Sequence, residues 1–150
     1  MAKVPSIEHT FYYRASRARV FAALTEPDQL ARWFVDKAAI TPKKGAPFRF
    51  RWKSYTLRGR VRSVDPPGKL VLTWVDRFGK EKPLETEARI ELHRHGPGTR
   101  LTLTHRGFRS GKKWIALYGA IEAGWAYYLT NLRSVLEHGT DLRSDLDVLG

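Results

Sequence analysis

His105 is the residue in this chain best placed to handle a proton on a bound molecule. It ends the alternating run Arg100–Arg106, where Leu101, Leu103 and His105 share one face. An imidazole on the buried face of a strand can donate or accept a proton. The commoner role at such a position is a core histidine satisfied by a backbone carbonyl or a helix side chain. His9, on the same face as Ile7, Phe11 and Tyr13, is read in the same two ways. Glu91, His93 and His95 stand at i, i+2 and i+4 of another strand-like run and project from one face. Two imidazoles and a carboxylate are part of a metal-ligand set. They flank the Gly96-Pro97-Gly98 turn without a fourth ligand, the pattern of a solvated hairpin end. No metal site is expected.

Other chemistry is narrowed by what the sequence lacks. With no Cys there is neither a thiol nucleophile nor a disulfide nor a cysteine metal site. No nucleophile elbow, phosphate-cradling glycine loop or dinucleotide fingerprint is present, and Gly111-Lys112-Lys113 lacks the rest of a phosphate loop. No catalytic set is assigned and no cofactor is expected. Acid–base work on a bound small molecule stays open.

The formal net charge of +12 raises the question of nucleic acid. Arg49, Arg51, Lys53, Arg58, Arg60 and Arg62 alternate with the apolar residues of one hairpin, so all six point to its outer face. Phosphates or an acidic partner could bind there. The aromatics of the same hairpin point inward, which removes base stacking from that face. A solvated, aggregation-resistant surface is the plainer reading, and nucleic acid is not the expected partner.

The elements that would position these residues follow from periodicity. Residues 7–14 alternate as a half-buried strand. Ser16 is a good N-cap for a short helix carrying Val20, Phe21 and Leu24 on one face. Pro27 opens a second helix with Leu30, Trp33 and Phe34 as its apolar stripe. Five strand-like runs follow: Phe48, Phe50, Trp52; then Tyr55, Leu57, Gly59, Val61; then Lys69–Val75; then Thr86, Ala88, Ile90, Leu92; then Leu101, Leu103, His105. Residues 76–83 read as a polar loop. From Lys113 to His138 the spacing becomes helical, with Gly139 as the C-cap. The prediction is an α+β domain: a curved six-stranded antiparallel sheet wrapped around a long C-terminal helix, with two short helices after the first strand.

Trp33, Phe34, Phe48, Phe50, Trp52, Trp74, Trp125 and Tyr128 are the expected wall of a pocket between sheet and helix, with His105 and Tyr128 its polar contacts. The implied partner is an apolar or amphipathic small molecule. One domain is expected over residues 1–139, with a loosely held acidic tail over 140–150. No apolar run approaches the ~20 residues of a membrane span and no leader is evident, so the expected location is cytoplasmic. A single Asn, Gln and Met beside abundant Arg resembles a heat-adapted composition.

Several segments together resemble a known family. They are Ala15-Ser16, Arg19-Val20-Phe21, Ala23-Leu24-Thr25-Glu26-Pro27, Leu30 and Trp33-Phe34 at the opening. Gly45, Phe48, Phe50, Gly59 and Val61 form the first hairpin, and Pro66-Pro67, Leu70-Val71 and Thr73-Trp74 the next strand. Gly98–His105, Gly107-Phe108, Gly124-Trp125, Leu129 and Leu132 close the pattern. In this order they are similar to the START-like (helix-grip, SRPBCC) superfamily. Within it they resemble the family named for activators of the ninety-kilodalton heat-shock chaperone's ATPase. The short hairpin arm around Ser54, and Ala46 where the family often has a second Gly, depart from the pattern. The resemblance implies a helix-grip fold, a ligand-sized cavity and a chaperone as a second kind of partner; it carries over no catalytic residue.

Overall fold

The structure, a computed structural model, describes residues 4–143. The chain begins with strand β1 (Ile7–Tyr13), then helix α1 (Arg17–Thr25) and the four-residue helix α2 (Pro27–Leu30). Strands β2 (Lys37–Ile40), β3 (Pro47–Trp52), β4 (Tyr55–Asp65), β5 (Lys69–Asp76), β6 (Leu84–His95) and β7 (Gly98–Arg106) follow, and helix α3 (Lys112–His138) closes the fold. All seven strands form one antiparallel sheet in the order β1-β7-β6-β5-β4-β3-β2. The sheet is a meander apart from β1, which pairs with the last strand.

The local causes are those the sequence suggests. Ser16 caps α1, its Oγ accepting from the Arg19 amide at 3.2 Å. Such a cap satisfies one of the amides that the first turn leaves without an intrahelical partner. Gly139 ends α3 in the left-handed conformation, φ 69°, which a residue with a Cβ adopts at a cost.

Two boundaries differ from expectation. The sheet has a seventh strand, β2, whose Lys-Ala-Ala-Ile run is too short and too small-chained to display an alternation; it pairs with β3 at the sheet edge. The regular part of α2 stops at Leu30: the Arg32 and Trp33 amides bond three residues back (3.0 and 3.4 Å) and the Val35 amide five residues back (3.1 Å), which breaks the α-helical register. Trp33 and Phe34 therefore enter the core from a turn rather than from a helix face.

One apolar cluster joins the concave side of the sheet to α1, the α2 turn and the second half of α3 through residues such as Leu57, Leu72, Leu101, Leu103, Leu129 and Leu132. Burying a Leu of this kind contributes ~1.5–3 kcal/mol. Polar ties fix α3 and the turn before α1 against the sheet. The Tyr13 hydroxyl donates to the Leu129 carbonyl (2.9 Å) and the Thr99 hydroxyl to the Ala15 carbonyl (2.7 Å).

The chain past Gly139 is held more firmly than expected as far as it is described. Asn131 donates to the Trp33 carbonyl and to Asp141, both at 2.9 Å, and accepts from the Leu142 amide at 2.7 Å. Arg143 donates to the Val35 and Ala31 carbonyls. The remainder of the expected loose tail, residues 144–150, lies outside the described residues. Among the described residues no helix is long and apolar enough to cross a membrane.

Candidate functional site

The first half of α3 packs through Leu117 on Ile7 and Phe108 but stands off the β3–β5 side of the sheet, and the gap there is a cavity of about 240 Å³. Phe34 comes from the turn after α2, Trp52 and Tyr55 from the tip of the β3–β4 hairpin, and Trp74 and Asp76 from β5. Phe78 comes from the loop after β5; Leu117, Ala120, Ile121, Gly124, Trp125 and Tyr128 come from α3.

The rings are packed on one another. Phe34 stacks on Trp125 at 5.4 Å between centroids and meets Trp52 and Tyr128 edge-on at 5.2 and 5.0 Å. Trp74 and Trp125 lie 5.3 Å apart, and Tyr55 stacks between Trp52 (6.2 Å) and Phe78 (5.8 Å). These spacings fall in the range where aromatic pairs attract beyond their burial, by ~0.5–1.5 kcal/mol. Hydrogen bonds fix two of the indoles: Trp52 donates to the Phe34 carbonyl at 2.7 Å, and Trp125 to His105 Nδ1 at 3.0 Å.

Of the residues expected to form the wall, Phe34, Trp52, Trp74, Trp125 and Tyr128 line this cavity. The other four lie behind it. Trp33 is fully buried, its indole donating to the Ala23 carbonyl at 2.8 Å, and it supports Phe34 from below. Phe48 and Phe50 pack on each other at 4.7 Å, with Phe50 against the edge of Phe34.

His105 is also buried and sits behind Trp125. Its bonding settles its tautomer. The indole can only donate, so Nδ1 must carry a lone pair. The proton is then on Nε2, which donates to the Thr86 hydroxyl at 2.7 Å. Burial holds its pKa down at about 3, so the ring is neutral at physiological pH. This is the core histidine satisfied from a helix, the second of the two roles open to it. Glu91 and His93 come within 3.8 Å of each other on the solvent side, and among the described residues no group of ligands is assembled for a metal.

Asp76 is the functional candidate the sequence reading passes over. It ends the inward series Leu70, Leu72, Trp74, Asp76, whereas the reading stops the strand at Val75 and assigns Asp76 to a polar loop. Its carboxylate is buried, with Oδ1 accepting from the Tyr55 hydroxyl. Oδ2 has no hydrogen-bond partner among the described residues. Burial raises its pKa against the opposing effect of the Tyr55 bond, and the Tyr55 phenol is itself pushed up by burial and by the neighbouring carboxylate. Burial likewise raises the pKa of Tyr128. A signal existed: an acidic side chain at the next inward position of an otherwise apolar strand. Tyr55, Leu117 and Ile121 were legible as inward residues but not as cavity wall.

On the outer face of the sheet the cationic hairpin is as expected, with Arg49, Arg51, Lys53, Arg58, Arg60 and Arg62 all exposed. Arg49 stands directly opposite Arg58, and Lys37 opposite Arg51. Arg62 is partly neutralised from two strands away by Glu87, at 3.4 Å.

The sequence model of one family, described as Activator of Hsp90 ATPase homolog 1-like protein, matches residues 14–137. The chain belongs to that family. Among curated proteins no sequence relative matches. Solved structures agree on the fold. Protein MLL2253 from Mesorhizobium loti superposes with a TM-score of 0.80 at 22% identity, over 90% of this chain and 98% of its own. The Aha1 dimer from Colwellia psychrerythraea gives 0.78 at 22%, over 91% and 99%. PFC0360w, an HSP90 activator from Plasmodium falciparum, gives 0.76 at 24%, over 89% and 97%. Those superpositions establish a shared helix-grip-like fold.

Proposed function

We propose that this family member binds a small, flat, largely apolar molecule between α3 and the hairpin tip. The observation that carries the reading is a cavity of about 240 Å³ walled by aromatic rings from four separate parts of the chain. Drug-sized sites typically measure ~300–1,000 Å³, so this volume selects a ligand of one or two fused rings. The hydroxyls of Tyr55 and Tyr128 and the carboxylate of Asp76 are the polar groups that would orient it. His105 takes no part in contact; it holds Trp125, which forms the back of the wall.

The test is binding of a bicyclic aromatic alcohol such as 2-naphthol, followed by Trp fluorescence and by thermal denaturation. Binding quenches the cavity tryptophans, and Tm rises with ligand concentration as RT ln(1 + [L]/Kd) requires. Absence of both effects at millimolar ligand would remove the reading.

A second reading rests on the family itself, together with the likeness to an HSP90 activator. On it, the chain modulates the ATPase of a chaperone of that kind. An ATPase assay with the chaperone from the same organism tests it, and no change in rate at excess protein sinks it.

A further inference from the structure

Asp76 poses a question that an apolar ligand leaves unanswered. It is the one acidic residue in the cavity lining. Oδ1 is taken by Tyr55 and Oδ2 by nothing among the described residues. No ion pair of the described residues involves it, in a chain with 27 Lys and Arg. Leaving a buried acceptor unsatisfied costs ~1–3 kcal/mol, and more when it is charged. A ligand that donates to Oδ2 would recover that cost. The surrounding wall narrows the donor further. The wall also holds the indoles of Trp52, Trp74 and Trp125, and the π-face of an indole attracts a cation by ~0.5–2 kcal/mol per contact, most strongly where water is excluded. A carboxylate set among aromatic faces is complementary to a protonated amine.

We propose that the cavity recognises an aromatic amine, with its ring against the wall of Trp74, Trp125 and Phe34 and its ammonium group bonded to the Asp76 carboxylate. The inference rests on the cavity being a ligand site and adds the chemical class of ligand. The raised pKa of Asp76 accords with it: burial disfavours the lone carboxylate, and a cation arriving beside it offsets that penalty. The net charge of +12 opposes a cation at long range. That field is screened within ~8 Å at physiological salt, so it slows encounter while the local carboxylate decides affinity.

Tryptamine and its neutral isostere tryptophol, titrated into the full chain by isothermal calorimetry near pH 7.5, test the proposal. The expected result is tryptamine binding at least tenfold more tightly than tryptophol, with the ratio falling to within about threefold in Asp76→Asn. Equal affinities in the wild type, or a preference that survives Asp76→Asn, would overturn the amine assignment and leave the cavity standing. Failure of both ligands to bind would overturn the cavity reading with it. Should Asp76→Asn not fold, the wild type supplies the same answer. The tryptamine preference shrinks as pH is lowered and the carboxyl takes up its proton, and a preference independent of pH refutes the role of Asp76.

Discussion

The imidazole of His105 should make this protein sensitive to mild acid for a reason separate from ligand binding. In the unfolded chain a histidine titrates near 6.5; in the folded protein burial lowers the value to about 3. Between those limits the unfolded state holds more protons, so stability rises with pH and falls as pH drops. The contribution is fully present above pH 6.5 and is lost progressively toward pH 3. At 1.36 kcal/mol per pH unit, the full interval is worth roughly 5 kcal/mol, comparable to the whole stability of a marginal domain. Asp76 works the other way, since an acid with a raised pKa favours the folded state as pH falls through it. The clean measurement is therefore a difference. Urea denaturation of wild type and His105→Asn would be followed from pH 4 to 7.5. The variant keeps an acceptor for the Trp125 indole, loses the bond to Thr86, and is less stable at pH 7.5 by ~1–3 kcal/mol. Its profile should be flatter, so that the gap narrows by ~1.4 kcal/mol per unit below pH 6 and closes or reverses by pH 4.5. Parallel profiles would refute the buried neutral imidazole, as would an NMR titration of His105 near 6.5.

Other substitutions probe the helix, the sheet and the outer face. A Cβ at Gly119 or Gly124 would meet no atom within 4 Å, so Gly→Ala at either should stabilise by ~0.8–1 kcal/mol through helix propensity. Only Gly124→Ala, which intrudes on the cavity lining, should also weaken tryptophol binding; equal binding by both variants would place the ligand elsewhere. Gly59→Ala should cost ~3 kcal/mol or more, because the new methyl collides with the Thr73 carbonyl and comes within 2.6 Å of the Phe48 ring; a neutral result in urea denaturation would contradict the close approach of β4 to β5. Arg49→Glu replaces a like-charge pair opposite Arg58 with an attractive one, and should stabilise the fold at low salt by less than ~1 kcal/mol, read as a small rise in Tm that is gone in 1 M NaCl.

How much of this was legible in the sequence depends on the range of the interaction. Capping, alternation and helical spacing are local, and they located Ser16, Gly139, the five strands of the meander and α3. The short edge strand β2 was not legible, because Lys-Ala-Ala-Ile has no internal pattern and is a strand only by pairing with Phe48–Arg51. The cavity wall was half legible. Alternation tells which face a ring points to, but not whether α3 closes over it, so Phe48 and Trp52 looked alike. In the fold Phe48 is core and Trp52 is wall, because β3 reaches the open end only at its last residue. Asp76 was missed because polarity was taken as a loop signal where inward register should have prevailed.

That distinction bears on why the site can be specific. The rings at the back are fixed by bonds made inside the fold: Trp125 by His105, itself held by Thr86, and Trp52 by the Phe34 carbonyl, with Phe34 resting on a Trp33 anchored to Ala23. Each bond removes rotamer freedom before a ligand arrives, so the cost of ordering those side chains, ~0.5–1.5 kcal/mol apiece, is met on folding rather than on binding. At the mouth the Phe78 ring is 47% exposed on the loop after β5, supported by its stacking on Tyr55. On the proposed reading, a rigid back wall with an exposed aromatic lip would fix the plane of the bound ring. The choice of polar substituent would then fall to the pair that joins lip to wall, Tyr55 and Asp76.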